Sequence, residues 1–554
     1  MGKDDTASKL VPFLTECITT EPYDKDDEFL YYVAKGYREL PDHLPPNGWQ
    51  ALVPSLESLG NQDETLIREE AVKTLSSMTE QASDKAGAVD VVLPVLQRLA
   101  AAEWFSPRCA SCLLFPAVYQ FASDTVKADL RKLYVGLCND DAPMVKRAAA
   151  RHLAGLTAVM DKKDFFGSIQ PTFAKLAGED TDWQDVIRVE MVKTLVVLAE
   201  KLDEKENREM TMERVHKFCA DKSWRVRLQV TRSIAEFCKA VGPAIASELM
   251  KPIGELLKDQ QQEVRVSTIE NFKNALELVS VESLQSHIIP RFQDLAMDAS
   301  TNVRSSLAKL IGHVAVKVGK NGTLQGQPSL LSTVMELLKD EFADVRLHVV
   351  NHTGSICEVL GLEPVQQLLS TLHTLSMDNQ WRIRMAVVSQ IPILGQQFGT
   401  DLFQSKLEGL FLGFLGDSVN AVRVAAVENL EPIVKAFGPQ WTTDHFLPKV
   451  LEQNTATQGY LNRLTALHAL SKVATVMTPE QVAKHITPVL VDAMKDKVPN
   501  VKFCSCKILQ ELAGIQKLQA PSVTIIKPAL SDLRAQDSDP DVQMEARKAA
   551  EVLP

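Results

Sequence analysis

The chain has 554 residues, 45% hydrophobic and 24% charged, with 25 Gly and 27 Pro, the composition of an ordered chain and not of a disordered or collagenous one. Sixty Lys and Arg against 71 Asp and Glu leave a net charge of −11, the wrong sign for a protein that grips nucleic-acid phosphates through a basic surface. No run approaches the roughly 18 apolar residues of a membrane helix and the opening MGKDDTASKL has no apolar signal core, so a cytosolic or nuclear chain is expected, off the membrane.

In chain order, one pattern recurs: an apolar-periodic segment, an Asp, a short polar stretch, an apolar residue followed by a cation, then a second apolar-periodic segment. After a weaker first unit marked by Leu30, the aligned positions are Arg68, Arg108, Lys146, Arg188, Arg227, Arg265, Arg304, Arg346, Arg384, Arg423, Arg463, Lys502 and Gln543, separated by 38 to 42 residues. Six residues before the aligned position stands Asp140, Asp182, Asp221, Asp259, Asp298, Asp340, Asp378, Asp417, Asp496 or Asp537. Each unit reads as two amphipathic helices: Ile486, Val489, Leu490, Ala493 and Met494 share one helical face, and after the turn Val501, Cys504, Ile508 and Leu512 share another.

Nine units carry Pro in the first helix (Pro12, Pro54, Pro94, Pro171, Pro252, Pro290, Pro448, Pro488, Pro528), where it removes a backbone hydrogen bond and bends the helix. A pair of short helices cannot bury its apolar face alone, so the units must stack on one another. The recurring Asp is placed to cap the turn, and the cation to reach the Asp of an adjacent unit, as a structural ladder. The expectation is an all-α HEAT-repeat solenoid, a horseshoe-like superhelix of about fourteen two-helix units. Loops are predicted at Thr19 to Asp27, Leu40 to Trp49 and Val318 to Leu330, the last as a joint, and residues 1–8 as a flexible end.

The search for chemistry returns little. His348 and His352 share a helix face but lack the Glu and third ligand of a zinc site. Cys109-Ala-Ser-Cys112 and Cys504-Ser-Cys506 have no second pair, and the nine Cys sit in apolar patterns such as EFCKAV (Cys238) and SICEVL (Cys357), as reduced core thiols do. VGKNGT lacks the upstream Gly and the following Ser/Thr of a phosphate loop. The reading is a non-catalytic chain with no cofactor and no metal. The residues that break the repeat are Trp104, Trp183, Trp224 and Trp381, in the turns joining the two helices, where a large apolar side chain serves either local packing or contact with a partner.

DKSWRVR (Asp221 to Arg227), NQWRIR (Asn379 to Arg384), CNDDAPMVKRAAA (Cys138 to Ala150), AEWFSPR (Ala102 to Arg108), GYLNRL (Gly459 to Leu464) and LVPFLTECI (Leu10 to Ile18) resemble the turns and helices of the scaffold (A) subunit of serine/threonine protein phosphatase 2A. That family has fifteen HEAT repeats where fourteen are read here, the first being absent, and Thr19 to Trp49 diverges. The resemblance implies a scaffold of HEAT units 1–9 over residues 9–361, holding an exchangeable regulatory B-type subunit mainly on 9–280, and of units 10–14 over 362–554, holding the phosphatase catalytic subunit. Carried over, catalytic-subunit docking falls to Trp381, Arg382, Tyr460, Leu461, Arg463, Asn500, Val501 and Lys502, and regulatory docking to Asp63, Glu64, Trp104, Phe105, Asp140, Pro143, Met144, Trp224 and Arg225. The rival binding reading is a HEAT-repeat nuclear transport receptor, whose Trp and Asn line inner helices and not turns. The rival enzyme reading, a HEAT-fold DNA glycosylase, is opposed by the charge and the missing site.

Overall fold

The protein is described by a computed structural model covering residues 2–178, 185–326, 329–452 and 459–554; Asp182 and Trp183 lie outside the described residues. These residues are helices joined by short turns, with no strand among them. They form two bodies, Met1–Ile288 and Ile289–Pro554.

In the first body the expected helix pairs follow in register. Val53–Gly60 pairs with Thr65–Gln81, Lys85–Ala100 with Phe105–Phe121, and Asp124–Cys138 with Pro143–Val159. The second helices then stack on one another: Thr65–Gln81 packs on Phe105–Phe121, that on Pro143–Val159, and that on Asp185–Ala199. The core lies between the helices, where Leu75, Phe115, Val118, Tyr134, Leu153 and Leu195 are almost wholly excluded from water. Each such side chain contributes about 1.5–3 kcal/mol by burial. The weak first unit is present as Asp27–Gly36, with Leu30 buried as its register required and Asp26 capping the amide of Phe29.

The second body repeats the scheme. Trp381–Leu402 packs on Asn420–Trp441, that on Tyr460–Ala474, and that on Pro499–Gly514, with Val387, Leu430, Leu470 and Ile508 in the core.

Five of the nine prolines sit behind a specific device in the first helix. A five-residue wide turn of π type immediately precedes the segment containing Pro12, Pro171, Pro290, Pro448 and Pro488: Thr6–Leu10, Phe165–Ile169, Leu284–Ile288, Thr442–Phe446 and Val482–Ile486. Opening the turn accommodates the clash between the proline ring and the preceding carbonyl. The same turn occurs at Asn207–Thr211 and Phe403–Leu407, where Glu213 and Gly409 stand in the proline position, so the bend belongs to the unit and Pro only fits it.

Joints between units are set fifteen residues after the ladder cation, a regularity that sequence reasoning passed over. Gly242, Gly319, Gly361, Gly399 and Gly438 stand there with φ between 71° and 85° and ψ near 180°, a conformation only glycine adopts without strain. In three other units the position is Asp203, Ser280 or Thr478, each capping the next helix with its side chain. One expectation is corrected by this. The segment from Val318 is helical through Leu324, broken only at Gly319, because one glycine suffices to turn the chain. The amino-terminal residues are helical from Lys3, since Thr6 and Ser8 hydrogen-bond back to the carbonyls of Gly2 and Asp4.

Candidate docking ridge

The turn inside each unit is built by its Asp and its cation together. In the turn of Asp378 the carboxylate accepts the amide of Gln380 at 2.8 Å, while Arg384 donates through Nη1 to the Asp378 carbonyl at 2.7 Å. The remaining donors of Arg384, Nε and Nη2, reach forward to both oxygens of Asp417 in the next unit at 2.7 and 2.8 Å. The same planar fork joins Arg108 to Asp140, Arg188 to Asp221 and Arg227 to Asp259 in the first body, and Arg304 to Asp340, Arg346 to Asp378 and Arg463 to Asp496 in the second. Lys502 reaches Asp537 at 2.7 Å with a single bond. Burial raises the carboxyls of Asp140, Asp417 and Asp496, but the arginine fork and the backbone amide outweigh it and hold all three below their ordinary value.

This ladder draws in residues that the resemblance placed on a docking surface. Asp140 is clasped by Arg108 and caps Ala142, Arg463 is committed to Asp496 and Lys502 to Asp537. Val501 is buried among the apolar side chains of its helix pair. For these four the side chain faces the stack and not the ridge, because the register that makes a residue recur is the register of packing.

The other assigned residues do stand outward where the second helices begin. In the first body Trp104 is 75% exposed and Asp63, Glu64, Phe105, Pro143 and Met144 are exposed too; in the second, Tyr460, Leu461 and Asn500 are exposed. The position two before the ladder cation carries exposed aliphatic residues in several turns: Leu66, Met144 and Val186 in the first body and Leu461 in the second. Leu66 and Val186 were missed from sequence; reading down that column of the repeat finds them. A groove of about 1140 Å³ between Leu330–Leu337 and Leu362–Leu375, with Phe342 and Met377 exposed on it, had no sequence signal at all.

The two near-identical turns differ in what their second arginine does. The guanidinium of Arg225 lies over the Trp224 ring at 5.5 Å and is tied to Asp185 at 3.2 Å. Arg382 lies over Trp381 at 4.8 Å, and no hydrogen bond or ion pair holds it among the described residues. A half-buried indole capped by an exposed, unengaged guanidinium presents a flat apolar face and a planar donor fork together.

The described residues contain no group of three side chains able to hold a metal, and His352 packs its ring against His313 at 4.8 Å, over Gly312, where a Cβ would collide with it. The nine cysteines are free, and burial pushes Cys138, Cys238, Cys357, Cys504 and Cys506 up to about 12. No helix of the described residues is long and apolar enough to cross a membrane.

Among known proteins, residues 243–319 match a family model described as PPP2R1A-like HEAT repeat, and residues 8–278 one described as sister chromatid cohesion protein PDS5. The chain is 33% identical over 365 residues to the beta isoform of the human 65 kDa regulatory (A) subunit of serine/threonine-protein phosphatase 2A, covering 65% of this chain and 59% of that one. It is 34% identical over 251 residues to the regulatory (A) subunit of protein phosphatase PP2A from Schizosaccharomyces pombe, 45% of this chain and 41% of that one. The match thus spans about three fifths or less of the length of these relatives. In fold the chain is similar to Kap95p from a structure with RanGDP (TM-score 0.52, 11% identity, 99% of this chain and 84% of that one) and to a Kap121p mutant (0.55, 13%, 99% and 66%). At those identities the likeness is one of fold alone.

Proposed function

For a HEAT-repeat chain related to the 65 kDa regulatory (A) subunit of protein phosphatase 2A, we propose a non-catalytic scaffold that holds a phosphatase catalytic subunit on its later repeats and an exchangeable regulatory subunit on its earlier ones. The observation that carries this reading is the pair of matched turns. The ladder consumes Arg227 and Arg384 for stacking and leaves Trp224 with Arg225, and Trp381 with Arg382, outside it. Aromatic and arginine side chains set side by side on an exposed edge are the composition of interface hot spots. A repeat array has room for two proteins side by side, since each occupies the turns of a few units.

Metal ions and catalytic carboxylates belong to the bound phosphatase in this reading, and its place of action is the cytosol or nucleus. Affinity purification of the full chain from cell extract tests it: a phosphatase catalytic chain should co-purify in stoichiometric amount. Recovery of transport cargo without any phosphatase would overturn it in favour of the receptor reading.

A further inference from the structure

Arg423 breaks the ladder. Its Nη1 donates to the carbonyls of Asp417 and Ser418 at 2.7 and 3.3 Å, as its counterparts do, and its Nη2 goes only to Oδ1 of Asn420 at 3.0 Å. Its Nε is buried and has no acceptor among the described residues, and the residue is only 5% exposed. On either side, Arg384 and Arg463 place these same two nitrogens on the carboxylate of the next unit. The repeat pattern of the sequence also departs here. Six residues before Arg463, where Asp recurs, stands Thr457, which lies outside the described residues.

The unmatched guanidinium borders a cavity of about 400 Å³ between Asn420–Trp441 and Tyr460–Ala474. Val424, Val427, Leu461 and Leu464 supply apolar walls, and Glu428 and Lys472 are its other charged residues, so with Arg423 the lining carries one net positive charge. His468 also borders it and adds none at neutral pH, because burial lowers its basicity. Val424 and Leu461 are both exposed, so the cavity opens at the beginning of the two helices, on the ridge.

We propose that this cavity binds a carboxylate carried by an acidic segment of a partner polypeptide, an Asp or Glu flanked by an aliphatic residue, which completes the ladder from outside the chain. The ligand class follows from the donors. Nε and Nη2 form the planar pair that grips a flat carboxylate in the neighbouring units, whereas a phosphate dianion would call for donors beyond them and would face Glu428. The aliphatic neighbour is set by the four apolar walls, and a polypeptide is favoured over a free acid because the opening lies on the ridge that we read as a docking surface. The inference rests on that reading for the later repeats.

Fluorescence anisotropy with the full chain tests it, using two labelled peptides identical except for a central Leu-Asp-Leu or Leu-Asn-Leu. The Asp peptide should bind about tenfold or more tightly than the Asn peptide. Thr457→Asp, which offers a carboxylate within the chain at the ladder register, should abolish the preference while keeping or raising the melting temperature. Arg423→Gln should abolish it too. Thr457→Asp settles the matter if loss of the turn contacts unfolds Arg423→Gln. Equal binding of the two peptides, persistence of the preference in Thr457→Asp, or tighter binding of a phosphoserine peptide or of dodecanoate than of the Asp peptide would overturn the proposal. No phosphatase chain is present in this assay, so its outcome is separate from that of the co-purification.

Discussion

Arg188 and Asp221, from successive units, form a two-bonded ion pair at 2.7 and 2.9 Å with 1% and 2% of their side chains exposed, whereas the equivalent pair of Arg108 and Asp140 keeps 18% and 12% in water. One motif therefore operates in two dielectric settings. In the buried setting the partners were dehydrated to form the pair, and removing one strands the other's charge. Asp221→Ala should cost about 3–5 kcal/mol of stability. Asp140→Ala should cost less, since water can still reach Arg108. Urea denaturation of the two variants decides this, and equal losses would mean that burial does not set the strength of the ladder.

Acidification should act in two separate windows. Burial, with Arg151 adding repulsion, lowers His152 from 6.5 to about 4, and burial also lowers His348 and His468. A depressed histidine contributes stability above its unfolded value, and that contribution disappears as pH falls from 6.5 toward 4. The ladder carboxylates Asp140, Asp417, Asp496 and Asp537, held below 3.8, lose theirs only beneath that value. The urea midpoint should thus decline in two steps, and His152→Leu should shrink the first and leave the second. A single step below pH 4 would remove the histidines from the account.

The joints give a prediction of opposite signs. A Cβ on Gly438 meets nothing within 4 Å, yet φ is 85° and ψ 171°, so Gly438→Ala should destabilise by about 1–3 kcal/mol through backbone strain alone. Gly409, exposed on the helix Glu408–Leu415 and equally uncrowded, should gain about 0.4–1 kcal/mol as Ala. Thermal melts of the two variants should move in opposite directions.

At the ridge, Trp381→Ala should weaken catalytic-subunit binding by about 2 kcal/mol or more, roughly thirtyfold, with little change in melting temperature. Trp224→Ala, in the matching turn of the other body, should leave that affinity nearly unchanged. Should both variants lose the phosphatase equally, or Trp381→Ala chiefly lose stability, these tryptophans are packing residues.

The ladder could be read from sequence because its chemistry must recur with every unit: Asp six residues before Arg has no other economical explanation. The joints could not, because unrelated residues, a glycine at positive φ in five units and a capping Ser, Thr or Asp in three others, share one position and hide each other. Asp140 shows the converse. Its neighbourhood of two acids and a Pro-Met pair suggested a docking charge, but its ladder register already bound it to Arg108. Leu66 and Val186 escaped notice since an exposed aliphatic residue on a helix is unremarkable until its column in the repeat is known. The ladder Asp missing six residues before Arg463 was recorded in the sequence as Thr457, and only the buried Nε of Arg423 gave that departure a meaning.

The forward-reaching fork also bears on how such a chain changes its length. Every regular unit brings one arginine that points ahead and one aspartate that receives from behind, as Arg384 reaching Asp417 and Asp378 receiving Arg346 show. Excising or duplicating a whole unit in register brings a new arginine to a new aspartate and leaves no charge over, whereas a cut inside a unit orphans one of each. Copy number is then the property this architecture can alter with least damage, and homologous chains should differ by entire repeats sooner than by fractions of one.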